Sequence, residues 1–115
     1  MDNIKNDVYY IKQSLDELNI LVEYASEIDS YESLMSNRKN IDSIMFRLIQ
    51  LIEDIKNISI EFKNRHLDIP WGDIIGFRNG VVHEYGKTDY TIVYEIIKRD
   101  IFELKDLFES TLKNK

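Results

Sequence analysis

No cysteine occurs in the 115 residues, so a disulfide frame and a thiolate metal site are both excluded. Long apolar runs are also missing. None approaches the length of a membrane span, and the first residues, MDNIKNDVYYIKQ, are charged throughout, without the apolar core of a signal peptide. These absences predict a cytoplasmic protein with no membrane partner. Basic charge is scarce: 15 Lys and Arg stand against 21 Asp and Glu, a net charge of -6. A broad, sequence-blind nucleic-acid surface is thereby disfavoured, because such surfaces depend on many cations meeting phosphates. A small site is still allowed, since a few cations can be concentrated in a cleft, and pairing two chains would concentrate them further. No repeat, linker or low-complexity segment interrupts the chain.

What is present is a globular composition, 43% hydrophobic and 31% charged, at a length that predicts one domain over residues 1-115. Apolar residues at Ile4, Val8, Ile11, Leu15, Leu18, Val22 and Ala25 step by three or four and predict one long amphipathic helix. The pattern breaks over Ser26 to Asn40, where Asp29 or Ser30 can cap a short helical turn. Ile41, Ile44, Met45, Leu48, Ile52, Ile55 and Phe62 then share one face of a second long helix, followed by a polar connection, Asn64 to Ile69. A last helix is predicted from an Asp89 cap, with Val93, Ile97, Leu104, Leu107, Phe108 and Thr111 near one stripe, fraying in the polar TLKNK tail. The expected fold is all-α, an up-and-down bundle of four main helices plus a short helical turn.

The remaining stretch, Pro70 to Gly86, holds the only Trp, the only Pro, all four Gly and one of the two His. Pro70 suits the first turn of a third helix, with Trp71, Ile74, Ile75, Arg78 and Val82 at helical spacing. Asn79-Gly80 between β-formers is also a hairpin signal; helix is preferred because an isolated hairpin would have little sheet to join. Gly72, Gly76 and Gly80, four apart, would bare one face for close approach of another helix, each costing about 1 kcal/mol relative to Ala.

Chemistry concentrates at Arg78, His83 and Tyr85, a fixed cation, a group that titrates near neutral pH and a phenol. On an unbroken helix Arg78 and His83 stand roughly 140° apart, so a shared substrate requires the helix to loosen between Gly80 and His83. If the pair converges, it suits phosphodiester cleavage without metal: the guanidinium holds the phosphate and its developing charge, and the imidazole moves a proton. RNA brings its own nucleophile, the 2′-hydroxyl. No carboxylate-His set has metal-ligand spacing, and GDIIGFRNG fits no phosphate-loop pattern. By spacing alone the Arg-His pair is equally a helix cap or an ion pair, Tyr85 a core-edge residue, His66 a solvated loop residue, and Glu53 either a surface residue or one reaching inward to orient Arg78.

Arg78-Asn79, three residues, then His83-Glu84-Tyr85 resembles the Arg-x4-6-His signature of HEPN domains, in the Arg-x4-His-x-Tyr form of the HepT toxins. The likeness extends over IPWGDIIGFRNGVVHEYGKTDYTIVYEIIKRDIFELK, about a third of the chain. It implies an all-α homodimer whose motifs line a shared cleft, with Arg78 and His83 as the catalytic residues of an endoribonuclease and Asn79 and Glu53 in support. It also implies a toxin-antitoxin pair, in which a minimal nucleotidyltransferase, MntA, neutralises the toxin by transferring AMP from ATP to the motif tyrosine, here Tyr85. An added nucleotide phosphate beside Arg78 would occupy the substrate's place. The alternatives are a non-catalytic nucleotide- or partner-binding subunit of such a nucleotidyltransferase, and a plain helical interaction protein. No cofactor is expected in any of these readings.

Overall fold

In a computed structural model, which describes residues 3–78 and 88–113, the apolar stripes produce an all-α architecture. Helix α1 spans Asn3–Ala25, α2 Tyr31–Met35 and α3 Arg38–Lys56. Helix α4 spans Ile60–Arg65 and α5 Trp71–Arg78. Helix α6, Tyr90–Glu95, runs through a π-helical turn, Ile96–Asp100, into α7, Ile101–Lys113, so residues 90–113 form one interrupted rod at the C-terminal end. The long helices α1 and α3 pack together, α7 lies against α1, and α5 lies against α3. Among the described residues no helix is long and apolar enough to cross a membrane.

In α1 the fully buried face is Asp7, Ile11, Ser14, Leu18, Leu21 and Ala25, whereas Val8, Leu15 and Val22 of the predicted stripe are only half-buried. Two polar residues, Asp7 and Ser14, occupy the centre of the stripe, so hydropathy alone rotates it toward its apolar flank. Ser30 is the cap of α2, its hydroxyl accepting from the Ser33 N–H at 3.1 Å. Asp89 caps α6 as expected, accepting from the Thr91 N–H at 3.0 Å and from the Thr91 hydroxyl. These bonds, the hydroxyl's foremost, hold the Asp89 carboxyl below the usual range.

The second long helix does not reach Phe62. It stops at Lys56 with Asn57 as its cap, and the chain restarts at Ser59, whose hydroxyl accepts from the Phe62 N–H at 3.1 Å. The cause lies 52 residues upstream. Buried Asp7 accepts from the Ser59 N–H and from its hydroxyl, both at 2.7 Å, which fixes the chain in a non-helical turn there. Phe62 is still buried, but it is carried in by α4.

The C-terminal rod departs from expectation in its π-turn. It is helical through Lys113, with Thr111 of the expected stripe buried and donating to the Phe108 carbonyl at 2.7 Å. A π-turn shifts the phase of a helical stripe; Val93 before it, Ile97 within it, and Ile101 and Phe108 after it are all buried. Lys98, within that turn, donates to the carbonyls of Ile28 at 2.8 Å and Ala25 at 3.3 Å, placing a cation on the C-terminal end of α1.

Removing the Asp7 carboxylate would strand a backbone N–H and a hydroxyl inside the protein. Asp7→Ala is therefore expected to cost about 1–3 kcal/mol in urea unfolding, and Asp7→Asn to recover part of it. Asp54 is affected in the opposite sense. Burial, then repulsion from Glu17 and Glu53, pushes its carboxyl above the usual value, so its favourable contribution is present at low pH and is lost as pH rises through the folded-state pKa. Asp54→Asn should raise the melting temperature at neutral pH, with the gain vanishing below about pH 3.9, where the unfolded carboxyl is itself protonated.

Candidate functional site

The residues that would do chemistry are delivered by α5 and by the segment leading from it to α6. Pro70 immediately precedes the helix and its carbonyl accepts from the Ile74 N–H at 3.1 Å, so the proline stands at the cap rather than inside the first turn. Helical continuation from Trp71 to Arg78, in preference to a strand, agrees with expectation. The Asn79-Gly80 pair lies outside the described residues.

Trp71 holds the start of α5 in place. Its indole N–H donates to the His66 carbonyl at 2.9 Å. Its ring packs edge-on to Phe62, centroids 6.3 Å apart, and at 33° to Phe108, centroids 5.8 Å apart. The Lys63 ammonium lies 6.0 Å from the ring centroid, and burial there lowers its pKa from the ordinary value. Helices α4, α5 and α7 thus share one aromatic joint. His66 belongs to it: its ring lies 4.4 Å from that of Phe62 and the residue is half-buried, in place of the solvated loop residue expected from NRHLD. The sequence signal was Phe62 four positions earlier, one helical turn away.

Arg78 is placed by its backbone as the last described residue of α5, seven positions beyond Trp71 and one turn beyond Ile74. Asn79, His83 and Tyr85 lie outside the described residues, so their convergence with Arg78 stays an expectation. The segment that carries them begins at the anchored α5 and rejoins the fold at Thr88 and the Asp89 cap. Glu53 sits near the C-terminal end of α3, half-exposed, with a carboxylate oxygen 3.9 Å from the Lys56 ammonium. Helix α3 is the element against which α5 packs. Among the described residues no group of His, Cys, Asp or Glu has the arrangement to hold a metal ion.

The glycines of α5 do not serve the purpose expected of them within this chain. A Cβ added at Gly72 or Gly76 would meet nothing within 4 Å, so among the described residues no helix of the same chain comes within contact of those two positions. Gly80 lies outside the described residues.

Comparison with known proteins places these features in context. A family model described as "Ribonuclease HepT-like" matches residues 14–111. A Methanocaldococcus jannaschii protein provisionally named an RNase is 29% identical over 103 residues, covering 88% of this chain and 93% of the relative. A second, from Caldanaerobacter subterraneus subsp. tengcongensis and named in the same provisional way, is 30% identical over 90% of this chain and 92% of its own length. A protein of Thermococcus cleftensis named a probable ribonuclease HepT is 28% identical over 90% of this chain and 94% of its own length. No solved structure matches the chain.

Because open space surrounds Gly76, Gly76→Ala is expected to stabilise the folded chain by about 0.5–1 kcal/mol through the reduced entropy of the unfolded state. Urea unfolding at low protein concentration measures this. A loss of stability would place another helix against that face.

Proposed function

Since the chain belongs to the ribonuclease HepT-like family, we propose that it is a metal-independent endoribonuclease toxin with Arg78 and His83 as its catalytic residues. The observation that carries this reading is the family match over residues 14–111, which contains an intact Arg78-x4-His83-x-Tyr85 run. The relatives' RNase names support it over the binding-subunit alternative.

In this mechanism the Arg78 guanidinium grips the scissile phosphate and balances the charge that builds on it. His83 transfers the proton that the reaction requires. The RNA 2′-hydroxyl attacks phosphorus, the P–O5′ bond breaks, the 2′-proton leaves to a base, and the departing 5′-oxygen receives one from an acid. A homodimer with both motifs on one cleft supplies two imidazoles for these two tasks. The uncovered glycine face of α5 supports such pairing. Asn79 and Glu53 support the site by positioning Arg78.

Control of the enzyme follows from the same cleft. A cognate MntA-like nucleotidyltransferase acts as the antitoxin, transferring AMP from ATP to the Tyr85 phenol with release of pyrophosphate. The new phosphodiester sets negative charge where substrate phosphate would bind. The setting is cytoplasmic, with RNA as substrate and no cofactor.

Arg78→Ala and His83→Ala are each expected to reduce RNA cleavage in EDTA by about 10²–10⁴-fold and to abolish growth arrest. Full cleavage by both variants would eliminate the mechanism. Nucleotide binding by the wild type without any RNA cleavage would favour the binding-subunit reading. Intact-mass measurement after co-expression with the nucleotidyltransferase tests Tyr85, the expected adduct being absent in Tyr85→Phe.

A further inference from the structure

Helices α3, α5 and α7 and the π-turn enclose a cavity of about 470 Å3. Its surface is apolar where Ile74 and Leu104 contribute. Four carboxylates also line it, Asp68, Asp73, Asp100 and Glu103, and no Lys, Arg or His stands among the described lining residues. Asp68, Asp73 and Glu103 are exposed and Asp100 half-exposed. Of the four, Asp100 has a cation within 3.0 Å, the neighbouring Arg99.

An apolar floor among carboxylates discriminates between occupants. A nucleic acid is repelled, because its phosphates would meet acidic groups with no cation from the groove's described lining. A second copy is disfavoured as well. An isologous contact sets the same patch against itself, and here that would desolvate eight carboxylates, of which, among the described residues, the two Asp100 groups alone have an ion-pairing cation, Arg99. Self-association through the glycine face of α5 would leave Ile74 on the far side of that helix, since on a regular helix it lies about 160° around the axis from Gly72 and Gly76. The complementary occupant is an amphipathic helix whose apolar stripe fills the groove and whose Lys and Arg residues meet the carboxylates.

We infer that this groove is a docking surface for a basic amphipathic helix of a partner protein. The inference does not depend on RNA cleavage by the chain. Its position nonetheless couples the two, because Ile74 in the groove is one turn from Arg78 at the backbone level. A partner seated there would bear on the helix that presents the candidate catalytic arginine.

The probe is a fluorescently labelled helical peptide of about 16 residues with Leu at i, i+3, i+4 and i+7 and Lys elsewhere, compared with the same peptide carrying Glu in place of Lys. At low salt the wild-type full chain is expected to bind the Lys peptide at least about tenfold more tightly than the Glu peptide. Asp68→Lys/Glu103→Lys should reverse that order, whereas the same charge change at exposed positions outside the groove, Glu32→Lys/Glu61→Lys, should preserve it. Circular dichroism verifies that both variants fold. Equal affinity for the two peptides, binding of neither, or an order unchanged in Asp68→Lys/Glu103→Lys would overturn the inference. Light scattering provides a further outcome: a wild-type dimer dissociated by the groove variant alone would make the groove a self-interface and overturn it equally.

Discussion

The position of the candidate chemistry depends on one buried indole. Trp71 closes the gap between the short helix α4 and the C-terminal rod, and its N–H is satisfied by the carbonyl of His66 at the preceding bend. An aromatic side chain of this size supplies much apolar contact and one polar end that must find a partner; both requirements are met at one place. Because Trp71 is also the first residue of α5, anchoring the ring sets the origin of the helix. The backbone at Arg78 then follows from helical geometry alone, about 10 Å along the axis.

The surrounding frame is locked by polar contacts at the ends of elements, where backbone groups would otherwise lack partners. Asp7 secures the α3–α4 break, Lys98 closes the C-terminus of α1, and Asp89 opens α6. Two of these join residues more than fifty positions apart, so they fix tertiary arrangement as well as helix ends. The segment that carries His83 and Tyr85 follows α5 in the chain and precedes the Asp89 cap.

Net charge has a local meaning on this fold. The carboxylates of the groove are gathered on one side of the bundle, where Asp73 and Ile74 of α5 contribute to its lining. On a regular helix the backbone at Arg78 follows one turn beyond Ile74, so the acidic groove and the ribonuclease motif are neighbours along one helix.

Much of this was determined by the sequence by itself. Three- and four-residue spacing specified the long helices, short polar side chains marked Asp89 as one cap and narrowed another to Asp29 or Ser30, and the Arg78–Tyr85 motif with its flanks identified the family. These are properties of adjacent residues, and adjacency is what a sequence records. Tertiary structure alone decided the rest. The break before Phe62 comes from a carboxylate 52 residues away, the true centre of the α1 stripe is occupied by Asp7 and Ser14, and His66 is stacked on Phe62 and tied through its carbonyl to Trp71. The open face at Gly72 and Gly76 belongs here too, because whether a glycine faces a neighbour or solvent depends on elements packed from elsewhere in the chain. For Asp7 the deciding partner is distant in sequence, and hydropathy assigns such a residue to the surface until a buried partner for it comes into view; the partners of His66 are near in sequence, but their stacking depends on how α4, α5 and α7 pack.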